Sequence, residues 1–324
     1  MSVNIGFLGC GGIANHHMRT IKTLAGADMV AFFDVDAERA KAAGAEYGGT
    51  VFDSAEKLLS EGGVDCVYIC TPPFAHGDLE MAAIAAKKPI FLEKPIGVDM
   101  KVVRQIEKAV NDAGLISAVG YHFRYFAATA KAEEALKGKT ITTIMGFWMG
   151  GFPGVYWWRR MDMSGGQMCE QTTHIVDLAR LFGGEVKAVC AAYGLLCLKD
   201  VEDITVPDTG TMTLFFENGA VGTISNCCHL NFGGRVGIDV IACDTYASMD
   251  GNHLVLRTAE GVEDVSLDNN PTAVEDAAFI KAVGTGDISG IRSDYSDAAR
   301  SLAVSIAANV SAQEGTIIKV SEVG

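Results

Sequence analysis

Residues 3–14 read Val3-Asn4-Ile5-Gly6-Phe7-Leu8-Gly9-Cys10-Gly11-Gly12-Ile13-Ala14, a short apolar, β-prone run that ends in a glycine-rich turn. A helical pattern continues to about residue 25, and a second apolar run, Met29-Val30-Ala31-Phe32-Phe33, leads into Asp34. Strand, G-x-G-x-x-A turn, helix, strand and acid in this register form the fingerprint of a dinucleotide-binding βαβ unit. Gly9 permits the tight turn, Gly11 lets the backbone approach a pyrophosphate, and Ala14 lets the helix lie close to the strand. Together with Gly12 and Ile13 they are the candidate phosphate cradle, because a helix N-terminus offers free N–H groups and a positive dipole end. Asp34 is placed to accept hydrogen bonds from the adenosine ribose hydroxyls.

Working outward, apolar strands are predicted at 3–8, 28–34, 50–52, 65–70, 88–93 and 116–121, with helices at 12–25, 37–47, 54–61, 75–86 and 99–113. Such alternation implies a parallel sheet covered on both faces, with ligands beyond the strand carboxyl ends. After about residue 122 the pattern changes. A helix is predicted at 124–137, a strand at 140–149 and a helix from near Gly166 to Gly183-Gly184. Successive strands run from 186 to 257, with Asn218-Gly219 as a two-residue hairpin signal. Helices return at 272–284 and 294–313, and a last strand falls at 316–320. The expected fold class is α/β. Residues 1–121 form a doubly wound parallel Rossmann domain, and 122–324 an α+β substrate-binding and oligomerisation domain on a large, mostly antiparallel open sheet.

Composition narrows the function classes. A net charge of −14 disfavours nucleic acid and anionic membranes, which attract basic proteins. The first apolar run is already a strand, and no run is long enough to span a bilayer, so neither a signal peptide nor a membrane segment is expected. Nine cysteines without a C-x-x-C pair read as free thiols in a reducing cytoplasm. Cys66, Cys70, Cys190, Cys197 and Cys243 are expected to be buried, and one of Cys227 and Cys228 exposed.

Three constellations could carry chemistry. Thr71-Pro72-Pro73 with His76 follows the fourth strand, either as a loop over the cofactor or as an ordinary turn. Glu93-Lys94-Pro95 ends the fifth strand at the same sheet edge. Lys94 there is either a solvated strand-end residue or an amine whose pKa the cationic nicotinamide would lower enough to move a proton. Glu170, His174 and Asp177 fall at i, i+4 and i+7 of one predicted helix and so share a face. That spacing suits an acid orienting a general-base histidine, a solvated surface pair or, lacking a third ligand, only poorly a metal site; no metal is expected. Tyr156-Trp157-Trp158-Arg159-Arg160 offers rings to stack on a sugar and guanidinium groups for hydroxyls or anions. The remaining histidines, His229 among them, show no ligand spacing.

With these residues in this order, the chain resembles the Gfo/Idh/MocA family of glucose–fructose oxidoreductases and inositol dehydrogenases. The resemblance runs over nearly the full length. It rests on the glycine turn with His17 in the following helix, Thr71-Pro72-Pro73 with His76, and Glu93-Lys94-Pro95. It extends through Gly120-Tyr121-His122-Phe123-Arg124-Tyr125, Trp158-Arg159 before Ser164-Gly165-Gly166, and Glu170-Gln171-Thr172-Thr173-His174 with Asp177. It implies NAD(P)-dependent oxidation of a sugar or polyol hydroxyl by hydride transfer to nicotinamide. Lys94 matches the family's catalytic lysine, and Glu170 and His174 its acid–histidine pair, with His174 favoured as the direct base and Lys94 orienting the hydroxyl. Tyr121, His122, Arg124, Trp158, Arg159, Glu170 and His174 become the expected substrate contacts. Three positions depart from the common pattern: Glu170 replaces Asp, Thr172 replaces Gly, and His122 replaces Asn.

Asp34, with Asp36 and Glu38 nearby, favours NAD over NADP against the single counterweight of Arg39. The resemblance also implies a homodimer or homotetramer formed through the C-terminal sheet. Two rival activities within the family are a glycoside-cleaving enzyme that uses NAD transiently and a non-catalytic NAD-binding regulator.

Overall fold

The computed structural model describes residues 2–323. The first half alternates: β1 (Val3–Leu8), α1 (Gly12–Ile21), β2 (Ala27–Phe33), α2 (Ala37–Tyr47), β3 (Thr50–Val51), α3 (Ala55–Glu61), β4 (Cys66–Ile69), α4 (Asp78–Ala85), β5 (Ile90–Leu92), α5 (Met100–Ala113) and β6 (Ser117–Val119). The second half begins with α6 (Ala127–Leu136), β7 (Ile141–Met149), α7 (Met161–Ser164), α8 (Gly166–Glu170) and α9 (Thr173–Gly183). Strands β8 (Val186–Gly194), β9 (Thr209–Phe216), β10 (Val221–Cys227), β11 (Val236–Ala242), β12 (Thr245–Asp250), β13 (His253–Thr258) and β14 (Gly261–Ser266) follow. The chain closes with α10 (Pro271–Thr285), α11 (Tyr295–Glu314) and β15 (Ile318–Lys319).

Two compact units result. One spans the chain through His122 together with Asn270–Ala299; the other is Phe123–Asn269 with the chain from Arg300 onward. The first crossing lies one residue beyond the 121/122 boundary expected from pattern. The return of residues 270–299 to the first unit differs from that single-boundary expectation. Its cause is apolar: α10 gives Phe279 and Ile280 to the core of the first sheet.

The first unit holds six parallel strands in the order β3-β2-β1-β4-β5-β6, the doubly wound arrangement. Phe32, Phe7, Tyr68 and Phe91 stack on successive strands, with ring centroids 6.2, 5.1 and 4.6 Å apart. Phe279 meets the last two rings edge-on at 5.6 Å. Several helix starts here are capped by side chains: Asp36 accepts from the Glu38 amide, Ser54 from Lys57 and Asp99 from Lys101. Helix α4 starts on Gly77 with acids in its first turn, and helix α1, which begins on Gly11, has neither cap nor acid.

The second unit is a nine-stranded sheet, β14-β13-β12-β11-β7-β10-β9-β8-β15, antiparallel except where β10 runs parallel to β7. Ile175, Val176, Leu178 and Ala179 of α9 are buried in its core with Ile144, Leu214, Ile224 and Ile238. The β9–β10 hairpin turns through three residues rather than the two expected, because Gly219, at φ +91°, closes it as a left-handed bulge. The predicted 166–183 helix is also interrupted. The Thr172 amide bonds the Gln167 carbonyl five residues back, at 2.9 Å, and Ile175 restarts the ladder on Thr172. Distant partners hold this break: Asn226 Nδ2 donates to Thr172 Oγ1 at 2.9 Å, and Gln167 Nε2 to the Cys227 carbonyl at 2.8 Å.

All nine cysteines are free thiols, but their burial differs from expectation. Cys190, Cys197 and Cys243 are exposed, whereas Cys227 and Cys228 are both buried. Cys190 lies on the outward side of β8. β10 ends at Cys227, so strand alternation no longer governs Cys228.

Candidate active site

In the first unit, the groups singled out from sequence collect at the carboxyl ends of β1, β2, β4 and β5. Gly9 has φ +94°, and a Cβ there would lie 2.5 Å from the Cys70 carbonyl oxygen, so only glycine fits. Beside it, a Cβ on Gly11 or Gly12 would meet nothing within 4 Å, which leaves an open cradle in front of the uncapped start of α1. Ala14 is fully buried against the strand, and Ile13 is exposed. Asp34 is aimed by two backbone amides: Cys10 donates to Oδ2 at 2.7 Å and Asp36 to Oδ1 at 2.8 Å. A carboxylate has about four acceptor positions, so two bonds leave capacity for ribose hydroxyls. Thr71 Oγ1 is buried with no hydrogen-bond partner, and the Thr71 methyl would lie 3.3 Å from a Cβ on Gly9. An uncapped helix start, an open glycine cradle, an anchored acid and an orphaned hydroxyl together fit a dinucleotide.

Pro72 and Pro73 turn the chain after β4 as expected. His76 is held inside the protein: its Nδ1 is paired with Glu80, whose other oxygen accepts from the Gly77 amide at 2.6 Å. Burial opposes the Glu80 charge, but His76 and that amide keep its pKa below the usual carboxylate value.

Glu93 is 5% exposed and Lys94 half-buried beside it. Glu93 Oε2 accepts from the Lys94 amide at 3.1 Å, and Oε1 faces His17 Nε2 at 2.8 Å. The other ring nitrogen of His17 lies 2.8 Å from Asp276 Oδ1, which also accepts from the Tyr68 hydroxyl at 3.2 Å. Burial alone would lower the His17 pKa. Asp276 and Glu93 outweigh it and raise that pKa to about 10, so the imidazole is a buried cation. Burial likewise works against the Glu93 charge, yet His17, Lys94 and His122 hold its pKa below normal. His122 behaves oppositely: burial, reinforced by Lys94, His17 and His16 against Glu93, lowers its pKa to about 4, so it is neutral. Tyr121 is buried at 1% exposure. The resemblance drew attention to His17, but nothing in the sequence paired it with Asp276, 259 residues away.

In the second unit the break at 171–172 corrects the shared helix face expected for Glu170, His174 and Asp177. Glu170 ends α8, and its Oε2 accepts from Trp158 Nε1 at 2.7 Å. Trp158 is fully buried, so its expected role as a sugar platform becomes one of holding Glu170. His174, on α9, stacks on Phe123 at 4.5 Å and on Trp148 at 5.9 Å, both nearly parallel. The aromatic wall fixes its ring plane. Asp177 faces the interior, where Arg124 binds it bidentately with two 2.6 Å bonds and Ser301 donates at 2.7 Å. Arg124 was expected at the substrate; with 5% exposure it instead neutralises Asp177. Arg159 lies against Tyr156 and Phe152 and donates to the Glu202 carbonyl.

One mixed grouping escaped the sequence reading. Cys197, Asp208 and His229 each bring a ligand-type atom within 4.8 Å of the others. Asp208 Oδ2 already accepts from the amides of Leu196, Cys197 and Leu198 at 2.9, 2.6 and 2.8 Å, which accounts for its burial.

Sheet order, glycine cradle and anchored acid define a dinucleotide-binding oxidoreductase fold, and comparison with known proteins gives its family. Residues 3–121 match the family model described as oxidoreductase family, NAD-binding Rossmann fold, and 137–242 match the GFO/IDH/MocA C-terminal domain. An inositol 2-dehydrogenase of Rhizobium meliloti is 31% identical over 74% of this chain and 73% of its own. A myo-inositol 2-dehydrogenase of Thermotoga maritima is 26% identical over 99% of both chains. The solved structure of levoglucosan dehydrogenase in complex with NADH shares the fold, with TM-score 0.90 at 18% identity over 99% of each chain. The chain belongs to the GFO/IDH/MocA oxidoreductase family. No helix of the described residues is long and apolar enough to cross a membrane.

Proposed function

We propose that this protein is an NAD-dependent dehydrogenase that oxidises a ring hydroxyl of a cyclic polyol of the inositol type or of a related sugar. The observation that carries the reading is Lys94: a half-buried ammonium at the carboxyl end of β5, the same sheet edge as the glycine cradle and Asp34. Two relatives that align with most of this chain are inositol dehydrogenases, which supports a polyol substrate.

Gly9, Gly11, Gly12, Ile13 and Ala14 hold the pyrophosphate, Asp34 the ribose, and Thr71 to Pro73 cover the bound dinucleotide, which supplies the hydride acceptor. Asp34 would repel a 2′-phosphate, so NAD is preferred to NADP. Lys94 and His174 act on one substrate hydroxyl. Lys94 orients its oxygen as a hydrogen-bond donor. His174, its ring plane set by Phe123 and Trp148, takes the proton through a ring nitrogen as the carbon is oxidised. Glu170, fixed by the Trp158 indole, binds a neighbouring hydroxyl. Tyr121, His122 and Arg159 line the substrate region, and Arg124 contributes indirectly by holding Asp177.

The half-exposed face of the nine-stranded sheet supports a homodimer or homotetramer, and the nine unbridged cysteines support a cytoplasmic setting. Light scattering that gives a multiple of the 34.2 kDa chain mass checks the assembly.

The test is a panel of inositols, hexoses, uronates and nucleotide sugars, following absorbance of reduced cofactor with NAD and NADP in parallel. NADH formation on an inositol or related polyol is the expected result. Cleaved glycoside without accumulating NADH, or tight NAD binding with no turnover on any member, would overturn the reading.

A further inference from the structure

We propose that His17 is a positioning residue for Lys94: clamped between Glu93 and Asp276, it immobilises Glu93 and so fixes the peptide that carries the lysine. The role of Lys94 in this statement rests on the function proposed above.

The geometry makes a continuous line. The Tyr68 hydroxyl donates to Asp276 Oδ1, Asp276 Oδ1 faces one nitrogen of His17, Glu93 Oε1 faces the other, and Glu93 Oε2 accepts from the Lys94 amide. Each imidazole nitrogen meets a carboxylate oxygen, so both satisfy their partners only as N–H donors, which is the imidazolium. The ring cannot swing away. It meets Phe91 edge-on at 5.0 Å and Tyr68 at 5.5 Å, and His17 is 1% exposed. Glu93 is walled in as well, since a Cβ on Gly120 would stand 2.6 Å from its Oε1.

Stability alone is a weak reason for this arrangement, because buried ion triads are often replaceable by apolar side chains without loss. Its placement gives a better one. One side chain of α1, the helix that opens at the phosphate cradle, is tied to the residue preceding Lys94. Two carboxylates and one imidazolium also leave a net negative charge beside the lysine.

Other titratable groups around His17 are His16 on α1, Tyr68 and Cys70 at the end of β4, Lys94 and His122, and Glu275 on α10. Burial pushes the tyrosine and the thiol far up, so they stay neutral.

Three variants of the full chain test the proposal: His17→Gln, Asp276→Asn and Gly120→Ala. In His17→Gln, kcat is expected to fall about 100-fold, the cost of a roughly 1 Å misplacement, while KM for NAD stays within about twofold. Gly120→Ala, whose new methyl has Glu93 carboxyl atoms as its nearest neighbours, reproduces part of that loss by displacing Glu93. Asp276→Asn keeps an acceptor for His17 but removes a charge. Its kcat is near wild type at low pH and gains an alkaline limb below the wild-type value of about 10.

A second readout needs no substrate: the pH midpoint for acylation of Lys94 by an amine reagent, read by mass spectrometry. Removal of the imidazolium, a nearby positive charge, is expected to raise that midpoint. A purely structural clamp would lower Tm in all three variants and leave the kcat–pH profile and the Lys94 midpoint where they were. Unchanged midpoints in folded His17→Gln and Asp276→Asn would overturn the proposal even if no polyol is a substrate. A shifted midpoint without turnover would instead support it and count against the polyol reading.

Discussion

Each unit buries a charged network next to a candidate catalytic side chain, and the two networks differ in kind. In the first, Glu93, His17, Asp276 and Tyr68 run inward from Lys94, and the cation at the centre is a histidine. In the second, Asp177, one turn beyond His174, is held by the Arg124 fork and by Ser301, which also accepts from Arg180 Nη1 at 2.7 Å. Arginine stays protonated at any pH a folded protein meets, whereas an imidazolium does not. The second network therefore acts as a fixed brace under α9. The first can lose its charge within reach of experiment, and it ends on the backbone of Lys94 itself.

The contrast can be broken or sharpened by five substitutions and a titration. Lys94→Ala should reduce kcat most, by about 10³-fold, without unfolding the first unit; steady-state NADH formation and circular dichroism check both halves. Arg124→Met leaves the Asp177 carboxylate buried without its cation, held by Ser301. Urea denaturation should show a loss of about 3–5 kcal/mol, the penalty of removing one partner of a buried pair.

The first network should instead show a pH dependence. The folded pKa of His17, about 10, lies above its ordinary 6.5. The stabilisation is thus complete below about pH 6.5 and lost as pH rises towards 10, with a slope of about 1.4 kcal/mol per pH unit. Denaturant titrations at several pH values should show that decline, and His17→Gln should flatten it. Asp34→Ser should shrink the preference for NAD over NADP by roughly tenfold, in line with the loss of one pair of charge-assisted bonds. Trp158→Phe removes one neutral donor to Glu170 and should alter kcat/KM only about threefold to tenfold, consistent with a single hydrogen bond.

How much could be read without the structure follows the same division. The glycine turn, the strand that ends on Lys94 and the acid after β2 are local patterns, fixed by periodicity and by a φ that only glycine adopts at position 9. They appear where the sequence predicts them. What escaped depends on partners far along the chain. Helix spacing gave Glu170 and His174 a common face, but Asn226 and Cys227, on a strand more than fifty residues later, hold the widened turn that separates their helices. Arg124 sits in a polar, aromatic run that suggests ligand contact; only the fold shows that Asp177 occupies its guanidinium. Asp276 lies on a helix whose pattern is that of any surface helix. Its packing with the first sheet brings it to His17 and moves residues 270–299 out of the unit to which they were assigned.

The central claim is that Lys94 and His174 both act in the proposed oxidation. A double-mutant cycle on kcat with Lys94→Ala, His174→Ala and the double variant tests it most directly. Residues that act as one device are strongly non-additive. We expect the double variant to lose no more than about tenfold beyond the worse single variant. Losses that multiply in full, as for two independent sites, would contradict the account.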